Sequence, residues 1–190
     1  MTNVTIFGTG NMGSAIASVL AAGGASVDHI GSDGTGTVSG DVVVLAVPYA
    51  ALADITAKYA DQLAGKIVVE TTNPLDFSTF DSLVVADGSS ATAELAAALP
   101  ASKVLKGFNT TFAATLATTK IGDLATTVLI AGDDETAKRT VAELITAGGL
   151  QAIDAGALSR AHELEAIGFL QLTLAAGEKI NWTGGFGLVK

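Results

Sequence analysis

Residues Val4–Phe7 form a short apolar run that leads directly into Gly8-Thr9-Gly10-Asn11-Met12-Gly13, and an alanine-rich helical stretch follows at once. The spacing is G-x-G-x-x-G, set between a strand and a helix. Gly8 permits the tight turn, Gly10 lets backbone approach a pyrophosphate, and Gly13 lets helix and strand pack closely. The amides that open the helix then face an anion from its positive end. With 22 glycines in the chain a triplet alone means little; its position at the first strand-to-helix turn is what carries weight.

The unit that normally follows such a turn is cut short. Between Ile30 and Asp41 lie the ten residues GSDGTGTVSG, too few for a helix and a strand. The second crossover of this dinucleotide-binding half is therefore expected to be a short, mobile loop, with the adenine more exposed than usual. A residue just past the second strand should meet the ribose 2′ position, and either Ser32 or Asp33 fits. Asp33 suits a 2′-hydroxyl and repels a phosphate, and no cation is near it in sequence, so electrostatics alone favour NAD.

Beyond this point apolar runs near 41–46, 66–70, 103–107, 126–131 and 150–153 alternate with helical patterns near 49–63, 90–98, 134–147 and 159–178. Together with strands at 3–7 and 26–30 and a helix at 11–23, they predict an α/β chain. The fold expected is Rossmann-like and doubly wound, with a mostly parallel sheet, a shortened second crossover and a C-terminal helix. Residues 1–158 read as the dinucleotide-binding domain. Residues 159–190 read as a helix and glycine-rich tail of the same unit. That helix shows apolar Leu164, Ile167, Leu170, Leu172 and Leu174, with Ser159 placed as its N-cap, so it should pack on the sheet or form a homodimer contact.

Composition narrows the chemistry. A net charge of −9 excludes broad nucleic-acid binding. The absence of cysteine removes thiolate nucleophiles and thiolate metal sites, and two distant histidines do not make a metal centre. No apolar stretch is long enough to span a bilayer and no leader pattern is evident, so the expected location is the cytoplasm.

Several segments together resemble the coenzyme F420-dependent NADP oxidoreductase family, which includes the reductase domains of membrane ferric reductases. They are GTGNMG (8–13), GSD (31–33), AVPY (46–49), KIVVETTNPL (66–75), KVLKGFNTTFA (103–113), AGDDETAKRTV (131–141), DAGALSRAHELE (154–165) and GGFG (184–187). The resemblance implies a Rossmann domain that binds NADP(H) and presents the nicotinamide to a second redox partner. It implies that Gly8, Thr9, Gly10, Asn11 and Met12 hold the pyrophosphate, with Ser32 and Asp33 at the ribose. Val47, Pro48, Tyr49 and Leu52 would line the cofactor, and Thr72, Asn73 and Pro74 would lie near the nicotinamide ribose. Asn109, Thr111 and Phe186 would contact a flavin or deazaflavin acceptor, Phe186 closing over its ring. The family usually has GSR where this chain has Gly31-Ser32-Asp33, which leaves NAD open beside NADP.

Each of these residues also has a plain structural role available: Pro48 as a strand breaker before the next helix, Asn73-Pro74 and Asn109 as turn residues, Phe186 as a tail anchor. His29 and His162 read as incidental, His162 on an exposed helix start, and Lys106 as a solvated strand-end lysine. The expected activity is hydride transfer between a nicotinamide and a flavin-like or other small acceptor. Such chemistry needs orientation rather than an acid–base side chain. No catalytic residue in the narrow sense is expected. Two alternatives stay open: an NADP-binding redox sensor without turnover, and a reductase of a small imine or keto acid.

Overall fold

The computed structural model describes residues 1–189, and the strand and helix bounds follow the sequence patterns closely. Strands β1 (Asn3–Phe7), β2 (Ser26–Ile30), β3 (Val42–Leu45), β4 (Ile67–Glu70) and β5 (Lys103–Lys106) pair in parallel in the order β2-β1-β3-β4-β5. Strand β8 (Thr127–Gly132) joins β5 antiparallel, and β9 (Gln151–Gly156) pairs parallel to β8 at the far edge. The order in which strands are added reverses here: β2 lies on one side of β1 and β3 on the other, all three parallel. In an open α/β sheet that switch point, at the carboxyl ends of the strands, is where ligands bind.

All four residues of β3 are buried because the sheet is covered on both faces. Val42 and Val44 point into one core with Ile16 and Leu20 of helix α1 (Asn11–Ala22) and Val141 and Ile145 of helix α5 (Glu135–Ala147). Val43 and Leu45 point into the other, with Tyr59 and Leu63 of helix α2 (Leu52–Leu63) and Leu95 of helix α3 (Ala91–Ala98). Ser90 and Asp134 cap α3 and α5 by accepting from Ala93 and Ala137 amides.

Two elements were not foreseen: helix α4 (Ala113–Thr118) and the hairpin of β6 (Lys120–Ile121) and β7 (Leu124–Ala125). Their alanine- and threonine-rich sequence has no clear period. The last helix, α6 (Ala161–Ala176), starts after a 3₁₀ turn over Leu158–Arg160, so Ser159 lies inside that turn and does not cap it. Its buried face also differs from the expected stripe. Leu164, Glu165, Gly168 and Gln171 are buried, whereas Ile167 and Leu170 are exposed. The polar residues turn inward because partners await them, as described below.

The loop that replaces the second crossover is also better held than its composition suggests. Val38 is buried, its amide donates to Gln62 Oε1 (2.9 Å), and Gly40 N donates to Thr5 Oγ1 (2.9 Å). Lys66 Nζ reaches Gly40 O (2.6 Å), and Tyr59 Oη reaches Gly34 O (2.6 Å). The expected mobile wall is a strap pinned at both ends. Among the described residues no helix is long and apolar enough to cross a membrane.

Candidate functional site

The parallel register places the end of β2 against the glycine turn: Gly8 N donates to Ile30 O (2.9 Å). His29 Nδ1 lies 2.8 Å from Gly8 O, and since a carbonyl only accepts, that nitrogen carries the proton. The three glycines answer different demands. Gly8 has φ +110°, and a Cβ there would overlap the Ala46 carbonyl. A Cβ on Gly13 would overlap the Gly8 carbonyl. Gly10 is different: it precedes α1 with φ −74°, and a Cβ there meets nothing within 4 Å. The fold itself does not need glycine at position 10. Close approach of a ligand to the free amides of α1 would.

Next to that helix start lies a cavity of about 440 Å³. Asn11 and Met12 form one wall, Thr71 and Asn73 the floor beyond β4, and Asn109, Thr111 and Phe112 the opposite wall beyond β5. Leu172 of α6 and Trp182 of the tail close the far side. None of its lining side chains is ionisable. The cavity thus joins the glycine turn to three residues, Asn73, Asn109 and Thr111, that the family resemblance assigned to the reactive end.

Two of these side chains are locked together. Asn73 Nδ2 donates to Asn109 O (2.8 Å), and Asn109 Nδ2 donates to Asn73 Oδ1 (2.9 Å) and Leu164 O (2.8 Å). Backbone carbonyls only accept, so both amide orientations are fixed. Asn109 Oδ1 is left buried with no partner, and so is Thr72 Oγ1. A buried unpaired acceptor costs about 1–3 kcal/mol, a cost that a ligand N–H or O–H would remove. The turn that aims Asn109 is strained: Phe108 is fully buried at φ +63°. Gly168 of α6 makes room, since a Cβ there would overlap the Asn73 amide.

Under this floor lies a feature that sequence reading missed. Lys106 is not solvated but completely buried, with Nζ 2.6 Å from Glu70 Oε2, 2.8 Å from Glu165 Oε1 and 2.5 Å from Thr72 O. Glu70 also accepts from the Thr72 amide and from Thr92 Oγ1 (2.7 Å). Glu165 accepts from the Ala91 amide (3.0 Å) at the start of α3. Burial holds the Glu165 carboxyl above its usual range, against the pull of Lys106. The cluster grips both backbone polar groups of Thr72 and so fixes the strip from Thr72 to Asn73. It also explains why Glu165 faces inward on α6. His162, expected on an exposed helix start, is half-buried with Nδ1 3.0 Å from Ser89 O.

The remaining sequence candidates fall elsewhere. Tyr49 and Leu52 line a separate groove of about 480 Å³ between α2 and α3. Tyr49 Oη donates to Glu94 (2.5 Å), which pushes its phenol pKa up to about 12. Val47 is half-buried, Pro48 is exposed, and Pro74 is buried behind the cavity floor. Phe186 is not in the cavity wall. Its amide donates to Gln171 Oε1 (3.2 Å) while its ring is 46% exposed. Trp182 holds the place expected for it, with its ring centroid 5.0 Å from that of Phe112. The sequence hint was the aromatic itself, four residues upstream on the same tail.

At the ribose end Ser32 and Asp33 are exposed just past β2. Asp33 is engaged by Thr35, whose hydroxyl donates to Oδ2 (2.6 Å) and whose amide donates to Oδ1 (3.2 Å). These bonds, with Lys58 further off, hold its carboxyl below the usual range. No cation is near the loop in sequence, but Lys58 reaches it in space from α2.

Residues 29–74 match the family described as NADP oxidoreductase, coenzyme F420-dependent. The chain is 32% identical over 173 residues to the F420-dependent NADP reductase of Methanocaldococcus jannaschii, covering 87% of this chain and 76% of that protein. It is 40% identical over 109 residues, 57% of its length, to metalloreductase STEAP3 of Rattus norvegicus, of which it spans 21%. A solved structure from Arthrobacter sp. FB24, provisionally assigned as an F420-dependent NADP reductase, superposes over the whole of both chains with TM-score 0.85 and 26% identity. On the strength of this match along most of both sequences, the chain belongs to the F420-dependent NADP oxidoreductase family.

Proposed function

We propose that this chain binds NADP(H) across the switch point and moves hydride between the nicotinamide and a flat flavin- or deazaflavin-like acceptor. One observation carries the reading. A single cavity runs from the free amides of α1 to Asn109 and Trp182, and no ionisable side chain lines it. Bound there, the dinucleotide supplies the hydride donor or acceptor. The protein's part is to hold and orient.

The amides of Gly10, Asn11 and Met12 bind the pyrophosphate at the positive end of α1. Asn109 Oδ1, without a partner among the described residues, accepts from the polar edge of what lies beside it. Phe112 and Trp182 offer an aromatic face to a planar ring. Leu172 and Trp182 cover one side of the bound ring. Hydride transfer between two such carriers requires no proton relay within the protein, which suits a wall of amides, hydroxyls and aromatics. Imine reduction would call for a proton donor, and the cavity wall offers no acidic side chain for it.

The test is a titration with NADPH followed by Trp182 fluorescence, then anaerobic mixing of the complex with oxidised flavin mononucleotide and with a deazaflavin. Oxidation of bound NADPH on addition of either acceptor is expected. Tight NADPH binding with no turnover by either would replace this reading with that of a redox sensor.

A further inference from the structure

The strap at residues 31–40 contains no lysine or arginine, yet the structure gives it a cation. Lys58, on the exposed side of α2, donates from Nζ to Gly34 O at 2.5 Å. Gly34 is at φ +61°, and a Cβ there would stand 3.1 Å from the same ammonium. The ammonium is therefore seated directly on the turn that follows Ser32 and Asp33. One of its three N–H donors is spent on Gly34, leaving two for a ligand. Tyr59 Oη also donates to Gly34 O (2.6 Å), so the turn keeps an anchor independent of Lys58.

Asp33, the residue whose charge opposes a phosphate, is exposed on the strap but committed to it. Both of its oxygens accept from Thr35, in the pattern by which an aspartate stabilises its own turn. Beside it at the end of β2 stand the exposed Ser32 and the Lys58 ammonium, the one group there that carries positive charge.

We propose that Lys58 is the specificity-determining residue for the dinucleotide: it supplies, from α2, the positive charge that admits a 2′-phosphate beside Ser32. This rests on the cofactor reading above and adds how the ribose end is recognised. The charge that a longer crossover would carry on its own loop is delivered by the neighbouring helix, which the shortened strap allows to come close. Asp33 remains a nearby negative charge, so the preference for NADPH over NADH is moderate and depends on salt.

The test is calorimetric binding of NADPH and of NADH to the wild type, Lys58→Met and Lys58→Arg, at low and high ionic strength. Lys58→Met should weaken NADPH by about tenfold or more, the loss of one charge-assisted contact, with NADH affinity unchanged. Lys58→Arg should keep the preference for NADPH. Added salt should erode that preference in the wild type and leave the Met variant insensitive. An equal loss for both dinucleotides, or no loss for NADPH, would overturn the assignment of Lys58 while leaving the cofactor site standing. A wild type that binds neither dinucleotide would overturn the cofactor reading and this inference with it.

Discussion

Gly10 offers the cleanest separation between what the fold needs and what a ligand needs. It occupies an ordinary backbone conformation, φ −74°, and a Cβ built on it meets open space. Replacing Gly10 with Val should thus leave the chain folded. Valine is a poorer N-cap than glycine, a cost of about 1 kcal/mol, which for a chain of this size lowers Tm by roughly 2–4 °C. Binding is another matter. The new methyl groups stand where a pyrophosphate must approach the α1 amides. Losing two charge-assisted amide–phosphate hydrogen bonds, each about 1.5–3 kcal/mol, weakens the dinucleotide by at least a hundredfold. Calorimetry with NADPH and a thermal melt on the same sample read both quantities. A variant that melts near the wild type and binds NADPH within threefold of it would show that no phosphate sits on this turn. The control is Gly8→Ala, where φ +110° and the Ala46 carbonyl make the change a folding lesion, so Tm should fall well beyond the Gly10 variant.

Three further outcomes are expected. Trp182→Ala should lower turnover with a flavin-type acceptor by about 3–10-fold, the value of one aromatic face, while NADPH affinity holds; Phe186→Ala should leave turnover intact because that ring lies outside the cavity wall. Lys106→Met leaves two buried carboxylates without their cation and should cost about 3–5 kcal/mol in a urea unfolding curve, with the deficit shrinking at acid pH as Glu165, whose carboxyl burial already raises, takes up a proton. Asp134, whose carboxyl is held low by the Ala137 amide at the start of α5, contributes stability that is full above its unfolded pKa of about 4 and lost as pH falls through its lower folded value. Asp134→Asn should remove that part of the acid dependence of Tm, and an unchanged pH profile would refute it.

What could be read from the sequence follows the range of the interactions concerned. The strand–glycine–helix turn and the continuous apolar run Val42–Leu45 are local features that the sequence pattern exposes. Lys106 was misread because its partners, Glu70 and Glu165, lie 36 and 59 residues away. Glu70 is the lone charge of an otherwise apolar strand, and that oddity was the available signal. The stripe on α6 misled for the same reason: Gln171 and Glu165 are buried by what they bond to, not by their own hydropathy. Lys58 escaped notice because it enters the ribose region from 24 residues beyond Gly34. Trp182 and Phe186 share one tail, and only docking decides which of the two faces the cavity.

The strap in place of the second crossover has a bearing on how the native state opens. Strand β2 is the edge of the sheet, and of the strap's own residues only Val38 joins the core, beside Ile30 and α2's Tyr59 and Leu63. So few buried apolar contacts make this the segment expected to open first, well below the global unfolding free energy. Amides of β2 should exchange with solvent faster than those of β1 or β3. A dinucleotide lying on Gly31–Asp33 binds only the closed form and slows that exchange by mass action. Strand β2 pairs only with β1, so its outer edge offers a row of backbone donors and acceptors to a second molecule whether the strap is open or closed. On the proposed reading, the strap that seats the Lys58 ammonium beside the ribose also sets how readily the β2 end of the sheet frays in an empty copy.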